Sequence, residues 1–392
     1  MKLLNTEQFI AFEINDSKFI KSFCDLQHSD SNTAVKAYLD ICKMLLLNGK
    51  SLGEYLHDIM VFSEQPLVEK YLKEKNPLLK KAVEYDVNKA AEISKLSSED
   101  IKNYLSYTFN KDFSYLPDFE TVEFPFDADY FINYCKENGS GLFAKHKAFT
   151  YGKGQLLPIE NPDPIRLSDL KRYEAQRKQI VDNTLCFIKD KSANNVLLYG
   201  DRGTGKSSTI KALLNEYPTL RMIQIDKKQV GDIFDIYGKI KDIPLHFIIF
   251  IDDLCFNEDD EDFFILKQAL DGSLHAKPKN VLIYATTNRR HIIKETAANR
   301  VENYVHKSDA VDDNMSLSER FGLFVTFSSP NKDQFLDIAM QIASDKGINV
   351  DEEVFAAGIE RFALKRGGRS PRIAKQYVEM LESKLSLGMD IN

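Results

Sequence analysis

Eight consecutive residues of this chain, Gly200, Asp201, Arg202, Gly203, Thr204, Gly205, Lys206 and Ser207, follow the pattern G-x-x-x-x-G-K-[ST]. The chemistry open to those residue types at that spacing is the wrapping of a phosphate. Glycines let successive backbone N–H groups turn inward around an anion, Lys206 is a cation long enough to reach a β- or γ-phosphate, and the Ser207 hydroxyl is a hard oxygen suited to Mg²⁺. Ser208 carries the run onward. The flanks agree with this reading: residues 196–199 are an apolar run of strand length, and residues 209–217 suit a helix whose N-terminal N–H groups face the same anion. Residues 200–208 thus predict nucleotide binding.

Further along, HFIIFIDDL (residues 246–254) is an apolar strand ending in two carboxylates. Asp252 there would hold Mg²⁺ through its water shell, and Asp253 could orient and deprotonate an attacking water. LIYATTNRRH (residues 282–291) puts Asn288 at the tip of the next strand, where an amide can hydrogen-bond both water and γ-phosphate; Arg289 and Arg290 beside it suit phosphate contact or an interface. Arg320 precedes the last strand, and Arg369 and Arg372 open the last helix. A transferring phosphoryl group spreads charge over its equatorial oxygens, where guanidinium donors stabilise it. An arginine at the rim of the core reaches only a neighbouring subunit's nucleotide, whereas one on a lid folds back over its own.

The elements that must hold these residues alternate. Strands are expected at 221–225, 246–251, 280–286 and 323–327, with helices at 229–241 and 262–274 between them. That predicts an α/β fold, a parallel sheet covered on both faces with ligand at the carboxyl ends of the strands. Three helices follow, at 332–344, 354–364 and 371–385, and read as a lid. Before the core, residues 169–191 suit a helix with Ile180, Thr184, Phe187 and Ile188 on one side, while the prolines and glycines of 152–164 read as an extended connector. Residues 1–110 are helical in pattern: Val35, Tyr38, Leu39, Cys42, Leu45 and Leu46 fall on one face behind the cap candidates Ser31 and Asn32, and Ser97 with Asp100 opens another helix. The expected organisation is a helical N-terminal domain over 1–112, a connector with a linker helix over 113–191, the nucleotide-binding core over 192–329 and the lid over 330–392.

Composition excludes several classes. With 43% hydrophobic and 28% charged residues in 392, the chain is an ordinary globular protein of more than one domain. No apolar run approaches bilayer length, and the start of the sequence lacks a signal-peptide core, so no membrane partner and a cytoplasmic location are expected. Five cysteines without C-x-x-C spacing suit buried thiols in a reducing compartment and no metal cluster. Residues 1–145 carry 17 Lys against 23 Asp and Glu, and the remainder is nearly neutral, so a standing grip on nucleic acid is not favoured. All 13 arginines lie between Arg166 and Arg372, which marks arginine here as a residue placed where a planar, multi-donor cation is needed.

Taken together, GDRGTGKSS, FIIFIDDL, ATTNRRH, SERFG and GRSPR, in this order over about residues 158–384, resemble the AAA+ ATPases. More narrowly, the strings resemble an uncharacterised bacterial AAA+ family catalogued only as a domain of unknown function. The resemblance implies ATP and Mg²⁺ as ligands, ATP hydrolysis, and a homo-oligomer with sites shared between subunits. It implies that Lys206 and Ser207 hold phosphate and Mg²⁺, that Asp252 is the Mg²⁺ partner and Asp253 the catalytic acid, that Asn288 and Arg372 are the two sensors, and that Arg320 acts in trans. Most AAA+ motors have Asp-Glu where this chain has Asp252-Asp253. The carboxylate is drawn back by one methylene, about 1.5 Å, so slow hydrolysis and a switch-like role are expected. An unknown protein client is expected at the N-terminal domain. Two alternatives stay open. A nucleic-acid-associated loader is favoured by the aspartate pair, but the segment between the strands ending at 225 and 251 leaves room for only one helix. A protein-threading unfoldase would need an aromatic–aliphatic–glycine pore loop, and Ile236, Tyr237 and Gly238 have those types in the wrong order.

Overall fold

The computed structural model describes residues 9–28, 30–257, 261–271, 277–288, 293–294, 320–349 and 351–387. The chain divides into two compact units, Met1–His146 with Ile243–Leu245, and Lys147–Asp242 with His246–Asn392.

The first unit is helical: α1 (Lys18–His28), α2 (Ser31–Asn48), α3 (Leu52–Val61), α4 (Pro66–Glu74), α5 (Pro77–Ser94), α6 (Ser98–Phe109), α7 (Ala128–Asn138) and the short α8 (Gly141–Lys145). Local chemistry sets the starts. Ser51 with Glu54, and Ser97 with Asp100, form capping boxes, and prolines occupy the first turns of α4 and α5. The cap of α2 is Asp30, whose carboxylate accepts from the Asn32 and Thr33 amides, one residue before the expected caps. On α2 the buried face is Ala34, Ala37, Tyr38, Ile41, Cys42 and Leu45, whereas Leu39 and Leu46 are 41% and 62% exposed. Adjacent residues point about 100° apart on a helix, so Leu39 and Leu46 cannot share the face centred on Tyr38 and Leu45. Phe12, Phe19, Phe23, Tyr38, Leu56 and Phe131 fill the core.

The second unit is built on a seven-stranded sheet: β1 (Ala148–Gly152), β2 (Gln155–Pro158), β3 (Val196–Gly200), β4 (Leu220–Ile225), β5 (His246–Ile251), β7 (Val281–Thr287) and β9 (Leu323–Phe327), in the order β2-β1-β4-β5-β7-β3-β9. A separate two-residue parallel pair joins β6 (Phe256–Asn257) to β8 (Ile293–Lys294). Every pairing in the large sheet is parallel except β1 with β2. That hairpin lies where an extended connector was expected. Its two-residue turn uses Lys153 and Gly154, both at positive φ, which matches the twist of a tight hairpin, and β1 then pairs with β4 far along the chain.

Alternate residues of the central strands face opposite sides, and both sides are buried. Val196, Leu198, Met222, Ile248, Phe250, Leu282 and Tyr284 pack with Ile180 and Phe187 of α9 (Glu174–Ile188) and Ile210 and Leu213 of α10 (Lys206–Glu216). Leu197, Ile223, Ile249, Ile251 and Ile283, on the other side, are equally buried. Thr184, expected on the apolar side of α9, lies there with its hydroxyl on Ile180 O and Tyr284 Oη. The remaining crossover helices are α11 (Ile233–Ile240), entered through a 3₁₀ turn at Lys227–Asp232, and α12 (Glu261–Asp271). The lid is α13 (Lys332–Asp345), α14 (Glu352–Lys365) and α15 (Pro371–Ser386), capped by Asn331, Asp351 and Ser370 and closed on a core that includes Phe335, Ile338, Phe355, Ile359 and Tyr377. The expected α/β core with a mostly parallel sheet covered on both faces, the three C-terminal helices and the helical N-terminal unit are all present. Among the described residues no helix is long and apolar enough to cross a membrane.

Candidate functional site

β3 delivers the chain to the phosphate loop and β9 runs beside it. At Gly200 (φ 136°) a Cβ would fall on the Phe327 carbonyl, so only glycine lets the loop leave the strand here. Gly203 (φ 76°) lies under Ser370 and Arg372 of the lid, and the Arg372 amide donates to its carbonyl at 3.2 Å. α10 begins at Lys206, directly after Gly205. The Lys206 ammonium, on a residue only 5% exposed, donates to Gly200 O (2.8 Å), Asp201 O (2.8 Å) and Asn288 Oδ1 (2.9 Å). Burial pushes its pKa down to about 8; the Asp201, Asp253 and Asp252 carboxylates oppose that shift and the Arg372 charge adds to it.

The carboxylates arrive from β5. Ser207 Oγ donates to Asp252 Oδ1 at 2.6 Å, and Thr286 Oγ1 donates to the same oxygen at 2.5 Å while accepting from the Asp253 amide at 3.0 Å. Asp253 takes a left-handed backbone (φ 53°), and its Oδ1 accepts from Asn288 Nδ2 at 2.7 Å. Lys206, Asn288 and Asp253 therefore form one chain of contacts, and Ser207, Asp252 and Thr286 another. Ser207 and Asp252 present hard oxygens side by side, which fits Mg²⁺, and among the described residues no group of three acidic, histidine or cysteine side chains could cage an ion alone.

These groups line one cavity of about 920 Å³, which is also lined by Ile165 and Tyr173 from the segment before α9 and by Ile338 and Ile342 of the lid. Lys171 and Asp345 pair across this cavity at 2.5 Å. Of the residues predicted from sequence, Arg202 to Ser208, Asp252, Asp253, Asn288 and Arg372 line it. Gly200 and Asp201 do not. Asp201 faces a second cavity, with Oδ2 accepting the Ser329 amide at 2.7 Å; the Ser329 hydroxyl first, and then this amide, hold its carboxyl below the usual range. Arg320 also lies off the cavity, at the start of β9. Parallel pairing of Val196 with Leu323 and of Gly200 with Phe327 puts it at the end of the sheet opposite the phosphate loop. Arg369 forks onto Glu360 (2.9 and 2.7 Å), which leaves Arg372 as the lid arginine at the cavity. Arg289 and Arg290 lie outside the described residues.

Sequence reasoning passed over Thr286 and Tyr173. Thr286 was legible in principle, since a residue two before Asn288 on a strand shares its face. Tyr173 was not. It and Arg172 adopt left-handed conformations (φ 64° and 62°), which start α9 at Glu174 and not at 169. The Tyr173 hydroxyl donates to Ser328 O at 2.6 Å, and burial pushes its pKa up to about 12.

Among solved structures, the Thermotoga maritima RuvB Holliday junction branch migration motor is similar at 17% identity over 57% of this chain and 66% of that chain, with a TM-score of 0.40. A lysine-to-arginine mutant of the same Thermotoga maritima protein matches at 17% identity over 57% and 67%, also with a TM-score of 0.40. No curated protein matches. Residues 144–385, well over half of the sequence, match the family described as "Protein of unknown function (DUF815)", and this chain belongs to that family.

Proposed function

We propose that this protein binds ATP with Mg²⁺ and hydrolyses it slowly, at sites completed by Arg320 of a second copy, and that the resulting conformational change acts on a protein client recruited by the helical N-terminal unit. The observation that carries this reading is the convergence of Lys206, Ser207, Asp252, Asp253 and Asn288 in one hydrogen-bonded set beside a cavity of nucleotide size. Backbone N–H groups of the loop and Lys206 would bind the polyphosphate. Asp253, held by Asn288, is the group that would orient and deprotonate water, and Arg372 is the guanidinium that the lid brings to the same charge. Mg²⁺, held at Ser207 and Asp252, would supply Lewis-acid stabilisation of the phosphate oxygens. The direct test is phosphate release from the full-length chain with ATP and Mg²⁺, followed in parallel with light scattering with and without nucleotide. Turnover with ATP-driven assembly supports the proposal; a monomer that binds no ATP refutes it.

Two further outcomes are expected. Arg372→Ala lowers turnover, whereas Arg369→Ala, whose guanidinium is already committed to Glu360, leaves turnover at the wild-type level; steady-state phosphate release on both variants checks this. The second concerns pH. A bound polyphosphate raises the pKa of Lys206 above its value of about 8, so binding above pH 8 must take up a proton. Nucleotide affinity is expected to be flat from pH 7 to 8 and to weaken above it by up to about tenfold per pH unit. A fluorescent-nucleotide titration from pH 7 to 9.5 reads this slope, and a flat profile across the range would contradict it.

A further inference from the structure

We propose that Asp201 and Tyr173 clamp the one peptide group at which the core hands over to the lid, and that nucleotide binding at Lys206 loosens this clamp, which makes Asp201 a positioning residue for lid movement. The proposal rests on the nucleotide reading above.

The core sheet ends at Phe327 and the lid begins at Lys332, so Ser328 to Asn331 is the connection on which the lid turns. The Ser328 carbonyl accepts from the Tyr173 hydroxyl at 2.6 Å, and the Ser329 amide donates to Asp201 Oδ2 at 2.7 Å. Those two atoms belong to the same peptide group, which is planar and rigid. Held at both its oxygen and its nitrogen, it cannot rotate without breaking one of the two bonds. Pro330 has no N–H, so the Ser329 amide is the last backbone donor before the Asn331 cap of α13. Both clamping side chains come from outside the lid. Asp201 belongs to the phosphate loop, with its own amide on Phe327 O at 3.1 Å, and Tyr173 precedes α9, with its ring 5.1 Å from that of Phe327. The starting direction of the lid is thus referenced to the phosphate loop.

Lys206 connects the clamp to the ligand. An ammonium has three N–H donors, and all three are directed at protein oxygens, namely Gly200 O, Asp201 O and Asn288 Oδ1. Contact with a phosphate requires withdrawal from at least one. Two of the three acceptors are the carbonyls on either side of the Asp201 Cα. The Asp201 carbonyl keeps a second donor, Thr204 Oγ1 at 2.8 Å, so the contact that Lys206 can give up at less cost to the loop carbonyls is the one at Asp201 O, and the one that bears on the Asp201 backbone is at Gly200 O. Turning Lys206 away from Gly200 O toward phosphate therefore leaves the peptide group leading into Asp201 without that contact and on its N–H bond to Phe327 O, which loosens the direction of the carboxylate that holds Ser329.

The test is hydrogen–deuterium exchange of the segment 326–336 in the full-length protein, without nucleotide and with Mg·ADP or a non-hydrolysable ATP analogue, together with a nucleotide-binding titration. In wild type, nucleotide is expected to speed exchange of the Ser329 amide. Without nucleotide, Asp201→Ala is expected to exchange about tenfold faster than wild type and to gain nothing more from nucleotide. Asp201→Asn keeps an acceptor oxygen and is expected to restore protection. Tyr173→Phe, which removes only the donor to Ser328, is expected to exchange faster than wild type and serves if the alanine variant does not fold. In Asp201→Ala, kcat is expected to fall while nucleotide affinity holds. Equal exchange in wild type with and without bound nucleotide overturns the coupling, and equal exchange in wild type and both Asp201→Ala and Tyr173→Phe overturns the clamp. Failure of nucleotide to bind appears in the titration and refutes the functional reading and the coupling together, while the nucleotide-free comparison still decides the clamp.

Discussion

Arg320→Ala is expected to leave ATP binding intact and to lower turnover by about 10³-fold, the lower end of what an arginine supplied to a phosphoryl-transfer site contributes. The argument is positional. Arg320 stands before Leu323 at the start of β9, and β9 pairs in parallel with β3, whose far end is Gly200. Five strand residues at about 3.3 Å each put roughly 16 Å between the two ends, so Arg320 cannot serve its own phosphate loop. In the proposed function a second copy would receive it. Mixing tests this more sharply than either variant alone. Chains carrying Arg320→Ala keep an intact pocket, and chains carrying Lys206→Ala keep an intact arginine. Each is expected to be inactive by itself, and a mixture is expected to recover a fraction of the wild-type rate of phosphate release. Full activity of Arg320→Ala, or no recovery on mixing, would sink the shared site.

Lys206→Ala is expected to lower turnover by about 10²- to 10³-fold, the loss that follows removal of one preorganised donor from a developing charge, and to weaken nucleotide binding as well. The side chain is the junction of the site: it touches the loop carbonyls at Gly200 and Asp201 and the side-chain amide of Asn288, which in turn holds Asp253. Truncation removes the cation and also releases Asn288, so Asp253, the carboxylate proposed to orient water, would lose its guide. Phosphate release and nucleotide titration on the same preparation separate the two effects. A variant that binds ATP as wild type does and turns it over at the wild-type rate would show that the phosphates lie elsewhere.

Much of this site was legible because its chemistry is local in sequence. The phosphate loop announces itself in eight residues, and Asp252 and Asn288 are marked by standing at the ends of apolar strands, where a parallel sheet collects polar groups. The lid helices were legible from their period and caps. What escaped depends on contacts across long stretches of chain. The β1–β2 hairpin is two short strands broken by two glycines, and its place is set by pairing with β4, some seventy positions later. Leu39 and Leu46 have the right type for a core, yet the width of the buried stripe on α2 leaves them outside it. Asp201 reads as one more loop residue, and Tyr173 as part of a helix. Only the fold brings both to the peptide after Phe327.

The placement of β9 has a mechanical consequence. Its first end carries Arg320 and its last end carries the Ser328–Ser329 peptide from which the lid departs. An extended strand bonded along one side to β3 hardly stretches. Under the proposed shared site, a pull on Arg320 from an adjoining subunit would be delivered, with little slack, to the Ser328–Ser329 peptide. If the proposed shared site holds, such a strand would work as a push rod between neighbouring sites, through the stiffness of five residues.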